Sequence, residues 1–389
     1  MPAVPADRIV GCASGGGIAG GRHRNYFDGP VMLSEDSTVQ YTHIQNQILY
    51  ISLHGSGGAD LTHGRQYSAK CHGRLAFGSE DTFRFAVARG HGSGFAENVT
   101  LLKPVDRCGT SESAWLGFVV APGATRNKCT VHRLDALVRW AEQGIPNLNF
   151  DTVYLGGGSM GGWGTLRYGI RHPEIFSAIY PDRPQWRGAS TVNNIQVSNY
   201  PGGWVNVDRS AAPDFDAEDG GGNTADFMDN IAYASNTSNK LPWIGWCLGR
   251  LDGFANFADH VTAVAALRAA KRGFAFAWNN GNHGGGSIMS EIFQSYPPGT
   301  FRRGRGYPLF TDHSGDQDPE VDLIGGVNIG LSFRNVVESA GSWSCEVTSV
   351  LGARTVTVEP ISDVFTAAVT PQIVSIPGAN SWVPVSFSG

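Results

Sequence analysis

Between Phe150 and about His172 a strand runs straight into a glycine-flanked serine and then into a helix. Phe150 to Leu155 reads as the strand. Gly156-Gly157-Gly158-Ser159-Met160-Gly161-Gly162 follows without a spacer, and the stretch to about His172 has helical character. A chain that makes this turn within a residue or two strains the backbone at the turn and projects its side chain from the sheet. Only small neighbours at minus two and plus two fit there. The G-x-S-x-G window is Gly157 to Gly161, with Ser159 at its centre. The following helix aims its N-terminal dipole at that hydroxyl, where negative charge can be stabilised. In a chain with 52 glycines the spacing alone means little. Its place between a strand and a helix gives it weight, against the alternative of an inert serine in a glycine-rich turn.

The motif sits in an alternating series. Ile48–Leu53 reads as a buried strand, Leu116–Val120 as a second, and Cys129–Gln143 as a helix with Leu134, Leu137, Val138 and Ala141 in register. Further strands are expected at Phe176–Tyr180, Pro242–Cys247 and Phe274–Trp278, with a helix over Phe257–Arg272. Strands alternating with helices imply an α/β fold built on a mostly parallel sheet. Beyond about Thr300 the pattern changes to period two, in Trp343, Cys345 and Val347, in Val356 and Val358, and in Val383, Val385 and Phe387. That predicts an α/β catalytic domain over 1–300 with an insertion at about 185–240. A charged linker over 301–322 and a small C-terminal β-sandwich-like domain over 323–389 follow.

A serine hydroxyl needs a base, and the base a carboxylate that orients it. On this kind of scaffold they follow in the order Ser, Asp or Glu, His, on loops after later strands. Asp252 lies on the loop after Pro242–Cys247, and His283 on the loop after Phe274–Trp278. Asp182, after the preceding strand, is the rival acid. The backbone N–H groups of Met160 and of Ser56, in His54-Gly55-Ser56-Gly57-Gly58, are the candidate oxyanion donors, with His54 bracing that loop.

Together these residues resemble the α/β-hydrolase superfamily, and within it the serine esterases related to feruloyl esterases, acetylxylan esterases and polyhydroxybutyrate depolymerases. The likeness spans roughly residues 40–295. It implies hydrolysis of a carboxylic ester through an acyl-enzyme, with Ser159 as nucleophile, His283 as base and then acid, and Asp252 orienting His283. The segment from Gln185 to Lys240 departs from a minimal core. Its Trp186 and Trp204 are the candidates for contact with a sugar or phenolic group.

Other classes fare worse. A net charge of −5 disfavours nucleic acid. No apolar stretch approaches a membrane span, and the first ten residues carry no signal-peptide pattern, although the low charged fraction of 16% suits a secreted, polymer-facing protein. Six scattered cysteines rule out a C-x-x-C site, and Cys108 and Cys129 could pair. The acidic runs 214–219 and 312–322 lack the EF-hand spacing, so neither a metal nor another cofactor is expected. The expected partner is a small or polymeric ester, with polymer contact through the C-terminal domain. A peptidase or amidase on the same scaffold, or a non-catalytic binding module, are the rival readings.

Overall fold

The structure is a computed structural model that describes residues 11–12, 31–34, 47–53, 55, 99–104, 115, 118–119, 126–127, 129–144, 148–187, 194–199, 203–208, 222–365 and 367–389. Its first half holds β1 (Gly11–Cys12), β2 (Val31–Ser34), β3 (Gln47–Leu53), β4 (Val99–Pro104), β5 (Phe118–Val119), β6 (Arg126–Asn127), α1 (Cys129–Gly144), β7 (Leu148–Gly158), α2 (Met160–Gly169) and β8 (Ala178–Asp182). The insertion contributes a hairpin, β9 (Asn194–Asn199) with β10 (Gly203–Asp208), and two short helices, α3 (Thr224–Met228) and α4 (Asn230–Ser235). Then come β11 (Trp243–Gly249), α5 (Phe257–Ala269), β12 (Phe274–Asn279) and α6 (Met289–Ser295). Seven strands end the chain: β13 (Tyr307–Thr311), β14 (Gly325–Val327), β15 (Leu331–Ser339), β16 (Ser342–Ser349), β17 (Arg354–Ile361), β18 (Gln372–Ile376) and β19 (Val383–Ser388).

Nine of these strands form one sheet in the order β1-β2-β4-β3-β7-β8-β11-β12-β14. From β4 through β12 every neighbouring pair is parallel. A parallel sheet is stable only when both faces are covered, and its strands show it. Side chains alternate across a strand, so Leu49, Ile51 and Leu53, Val153 and Leu155, Ile244, Trp246 and Leu248, and Phe274, Phe276 and Trp278 share one face. That face packs under α1, α2 and α5 through Leu134, Leu137, Leu166, Val264 and Leu267.

The opposite face carries Tyr50, Tyr154, Ala178, Tyr180, Cys247, Ala275 and Ala277. Its small residues leave room for α6: a Cβ added at Gly245 would stand 2.6 Å from Ile292. The C-terminal strands complete this cover. They form two three-stranded antiparallel sheets, β13-β17-β18 and β15-β16-β19. Their inward residues, among them Phe333, Trp343, Cys345, Val347, Val356, Val358, Val385 and Phe387, join one core with Tyr154, Tyr180 and Trp243. The period-two residues of the sequence are therefore the inward face of these sheets, except Val383, which is only partly buried.

Three expectations change. Residues 301–322 are no linker: Phe301 stacks on Trp243 with ring centroids 4.4 Å apart, and β13 pairs with β17. Residues 325–327 belong to the central sheet, where β14 pairs antiparallel with β12. The chain thus enters the C-terminal layer, returns to the main sheet, and leaves again. The segment near Leu116–Val120 supplies only the two-residue β5, paired with β6 outside the main sheet. Val99–Pro104 takes the place beside β3 instead. The glycine-rich start, the Thr38–Ile44 run and the acidic 214–219 run lie outside the described residues. Among the described residues, no helix is long and apolar enough to cross a membrane.

Candidate active site

From β3 the sheet continues to β4 on one side and then to β7 on the other, so the crevice beyond the carboxyl ends of β3 and β7 is the switch point where α/β sheets bind ligands. Ser159 stands there, between β7 and α2. Its φ of 56° and ψ of −123° lie in a region that L-residues avoid, at a typical cost of about 1–3 kcal/mol. Packing holds it in place. The Ser159 amide donates to the Asp182 carbonyl at 3.0 Å, and the Trp163 amide donates to the Ser159 carbonyl at 3.0 Å. A Cβ on Gly162 would stand 2.1 Å from the Asp182 carbonyl oxygen, so a close backbone approach falls at plus three as well as at Gly157, where the Leu53 oxygen would be met at 2.5 Å.

Asp252 and His283, the candidate acid and base, arrive on two loops that are laced together. After β11 and β12 the Arg250 amide donates to the Asn279 carbonyl at 2.8 Å, and the Leu251 amide to the Gly281 carbonyl at 3.0 Å. The backbones approach so closely that a Cβ on Gly249 would meet the Gly281 oxygen at 2.2 Å. This lacing brings Asp252 and His283, 31 positions apart, into contact: Asp252 Oδ2 lies 2.6 Å from His283 Nδ1. His283 Nε2 lies 2.7 Å from Ser159 Oγ. The other Asp252 oxygen accepts the amides of Phe254 at 2.8 Å and Ala255 at 3.0 Å. Burial pulls the Asp252 carboxyl upward, but the bond from His283, these amides and the imidazole charge outweigh it and hold the group below its ordinary range. The Asp252 side chain has no exposed surface, whereas His283 keeps 19% of its own, so a ligand can reach the imidazole but not the carboxylate.

A mostly parallel sheet with a strand-to-helix elbow at its switch point, and with Asp252 and His283 following Ser159 on later loops, decides the architecture. The fold is that of the α/β hydrolases.

Distant likenesses to solved structures accompany this reading. A ferulic acid esterase is 17% identical with a TM-score of 0.42, over 65% of this chain and 83% of that one. A substrate-bound fluorophosphonate-binding serine hydrolase of Staphylococcus aureus is 15% identical with a TM-score of 0.40, over 65% and 84%. Esterase 2 of Thermogutta terrifontis is 13% identical with a TM-score of 0.37, over 62% and 75%. No protein-family model matches the sequence, and no curated protein matches it. The fold is read from the chain's own strand order and elbow.

The remaining candidates divide. Met160 opens α2 directly after the serine, where the first amides of a helix have no intrahelical acceptor. Ser56 and His54 lie outside the described residues, but Gly55 is placed: a Cβ there would sit 3.2 Å from the Gly158 oxygen and 3.7 Å from Ser159 Cβ. The loop after β3 therefore reaches the elbow. Trp186 is a correction. It is buried in the core, with its ring edge-on to Trp246 at 5.2 Å, and offers no surface to a ligand. Trp204 lies on β10, opposite Ser198, and its side chain is outside the described residues.

Asp182, the rival acid, does not touch the imidazole ring. Its buried carboxylate accepts Arg183 Nε and Nη2 at 3.1 Å each, Ser287 Oγ at 2.9 Å and the Cys247 thiol at 3.2 Å. Burial pushes the Cys247 thiol well above its ordinary range, with the Asp182 charge adding to it, so it stays protonated as a donor. The sequence reading missed Arg183. The remaining guanidinium nitrogen, Nη1, donates to the His283 carbonyl at 2.5 Å, and the residue has a φ of 53°. A charged pair at the end of an otherwise apolar buried strand was the available signal. Among the described residues, no cluster of His, Cys, Asp and Glu side chains is arranged to hold a metal ion.

Proposed function

We propose that the protein is a serine hydrolase of carboxylic esters that works through an acyl-enzyme. The supporting observation is the unbroken line from Asp252 Oδ2 through both nitrogens of His283 to Ser159 Oγ, with steps of 2.6 and 2.7 Å. In this reading Ser159 Oγ attacks the ester carbonyl carbon as His283 Nε2 takes its proton, and Asp252 stabilises the imidazolium and fixes its tautomer. The oxyanion faces the Met160 amide and an amide of the loop that follows β3. Collapse breaks the bond to the alcohol oxygen, which leaves with the proton from His283. Water, deprotonated by the same nitrogen, then releases the acid and restores Ser159. Each step needs only groups of this chain, the ester and water.

The expected substrates are feruloyl or acetyl esters of a polysaccharide, or a polyester. Hydrolysis of p-nitrophenyl acetate, p-nitrophenyl butyrate and methyl ferulate by the wild type and by Ser159→Ala tests the reading. Activity that disappears with Ser159 supports it. A folded wild type inert on all three, or one whose activity survives the substitution, overturns it.

A further inference from the structure

Nine large apolar side chains stand exposed among the described residues, and five of them belong to two segments that the structure ties together. Leu251 and Phe254 flank Asp252, with 63% and 57% of their surface exposed. Val321, Leu323 and Ile324 precede β14, with 73%, 60% and 67% exposed. Arg250 Nη1 joins the segments by donating to the carbonyls of Pro319 at 2.7 Å and Asp322 at 2.8 Å, and Trp278 Nε1 donates to the Asp322 carbonyl at 2.9 Å.

The register fixes which end of the sheet this strip occupies. Because β14 runs antiparallel to β12 with Gly325 opposite Trp278, residues 323–324 emerge at the carboxyl end of β12, where the His283 loop begins. At the other end of the strip, the Phe254 ring packs against the His283 imidazole at 4.8 Å. The strip therefore begins on the candidate base and runs outward beyond the sheet edge. From β7 to β14 is four strand steps, about 19 Å at roughly 4.8 Å each.

Large apolar side chains left exposed on two segments tied together mark a binding site, and the contact of Phe254 with His283 says what it binds. We propose that this strip docks the chain of a neutral, water-insoluble ester, with the scissile bond at Ser159 and the apolar chain lying over Phe254 and Leu251 toward Val321, Leu323 and Ile324. A short acyl group cannot span it. Asp318, Glu320 and Asp322 are interleaved with the apolar residues, so the strip repels an anionic bilayer and suits an uncharged polymer or long-chain ester. The proposal rests on the ester-hydrolase reading and narrows its substrate class. It also gives the segment ahead of β14 a role at the site.

The test compares p-nitrophenyl dodecanoate with p-nitrophenyl acetate, using the wild type, the triple variant Val321→Asn/Leu323→Asn/Ile324→Asn, and Ile373→Asn. Ile373 is an equally exposed residue on β18, so its variant controls for loss of surface hydrophobicity. The dodecanoate-to-acetate ratio of kcat/KM should fall about tenfold in the triple variant and hold in the control. An unchanged ratio overturns the proposal. Adsorption to polycaprolactone nanoparticles, measured on Ser159→Ala protein with and without the triple substitution, keeps the two readings apart. Adsorption lost with the triple substitution supports the strip even if no ester is cleaved. Equal adsorption of both proteins, or binding to vesicles of equal parts phosphatidylcholine and phosphatidylserine that matches binding to the polyester, overturns it. Covalent labelling of wild-type Ser159 by a fluorophosphonate reports separately on the hydrolase reading.

Discussion

Arg183 and His283 stand 100 positions apart in the chain, yet the guanidinium of one holds the backbone carbonyl of the other at 2.5 Å. The same guanidinium grips Asp182, whose own carbonyl receives the Ser159 amide. The elbow and the histidine loop are thus fastened to one buried ion pair, and Ser287 adds a second tie from the loop to the Asp182 carboxylate.

Replacing Arg183 with Met should let the histidine loop shift relative to Ser159. A displacement of about 1 Å can cost roughly a hundredfold in rate. The expected result is a kcat for p-nitrophenyl acetate lowered about ten- to a hundredfold with KM little changed, and partial recovery in Arg183→Lys. A variant that merely unfolds more easily would keep its kcat at a temperature where it is folded, so steady-state kinetics alongside a thermal melt distinguish the two.

The two aspartates should fail in different ways. Asp252→Asn keeps the shape of the side chain but favours the wrong imidazole tautomer, and kcat should fall by about three to four orders of magnitude while the melting temperature barely moves. Asp182→Asn leaves Arg183 facing a neutral amide in a buried site, and should cost several kcal/mol of stability, on the order of 3–5. Paired melting and activity measurements check both. Loss of activity without loss of stability in Asp182→Asn would point to it as the acid.

Gly162→Ala places a methyl group 2.1 Å from a backbone oxygen that cannot move without carrying β8 with it. Either the elbow or the strand end must give way. Soluble yield and fluorophosphonate labelling should both drop sharply. Gly55→Ala meets its nearest atom at 3.2 Å, so the fold should survive with slower labelling.

His260 makes stability depend on acid. It is fully buried, accepts the Trp246 indole N–H at 3.1 Å, and burial lowers its pKa to about 3. In the unfolded chain it titrates near its ordinary value of about 6.5. As the pH falls below about 6.5, the unfolded state gains a proton that the folded state refuses until about 3, so stability declines through that window. Chemical denaturation between pH 7 and pH 4 should show a shallower decline for His260→Gln than for the wild type.

The candidate site was legible in the sequence because its signals are local. A strand, three glycines, a serine and a helix adjoin one another, and Asp252 and His283 each follow a short apolar strand directly. What it hid depends on long-range partners. Gly325-Gly326-Val327 has nothing strand-like about it until Trp278 and Phe276 offer a free edge. The charged run after Thr300 reads as a linker, yet Asp316 accepts from Arg268 and the Asn328 amide and pairs with His313. Trp186 looks like part of an insertion facing solvent, and only the position of Trp246 shows it to be a core residue.

The passage of the chain from β13 in one layer to β14 in the central sheet and back to β15 has an engineering consequence. A cut after residue 300 would strip the sheet of its last strand and uncover Tyr154, Tyr180 and Trp243. The last ninety residues are therefore not a cassette that can be transplanted or deleted. The α/β part and the β layer should melt in one transition, and a tag or a circular permutation belongs at a surface turn such as Gly352 rather than at the seam between them.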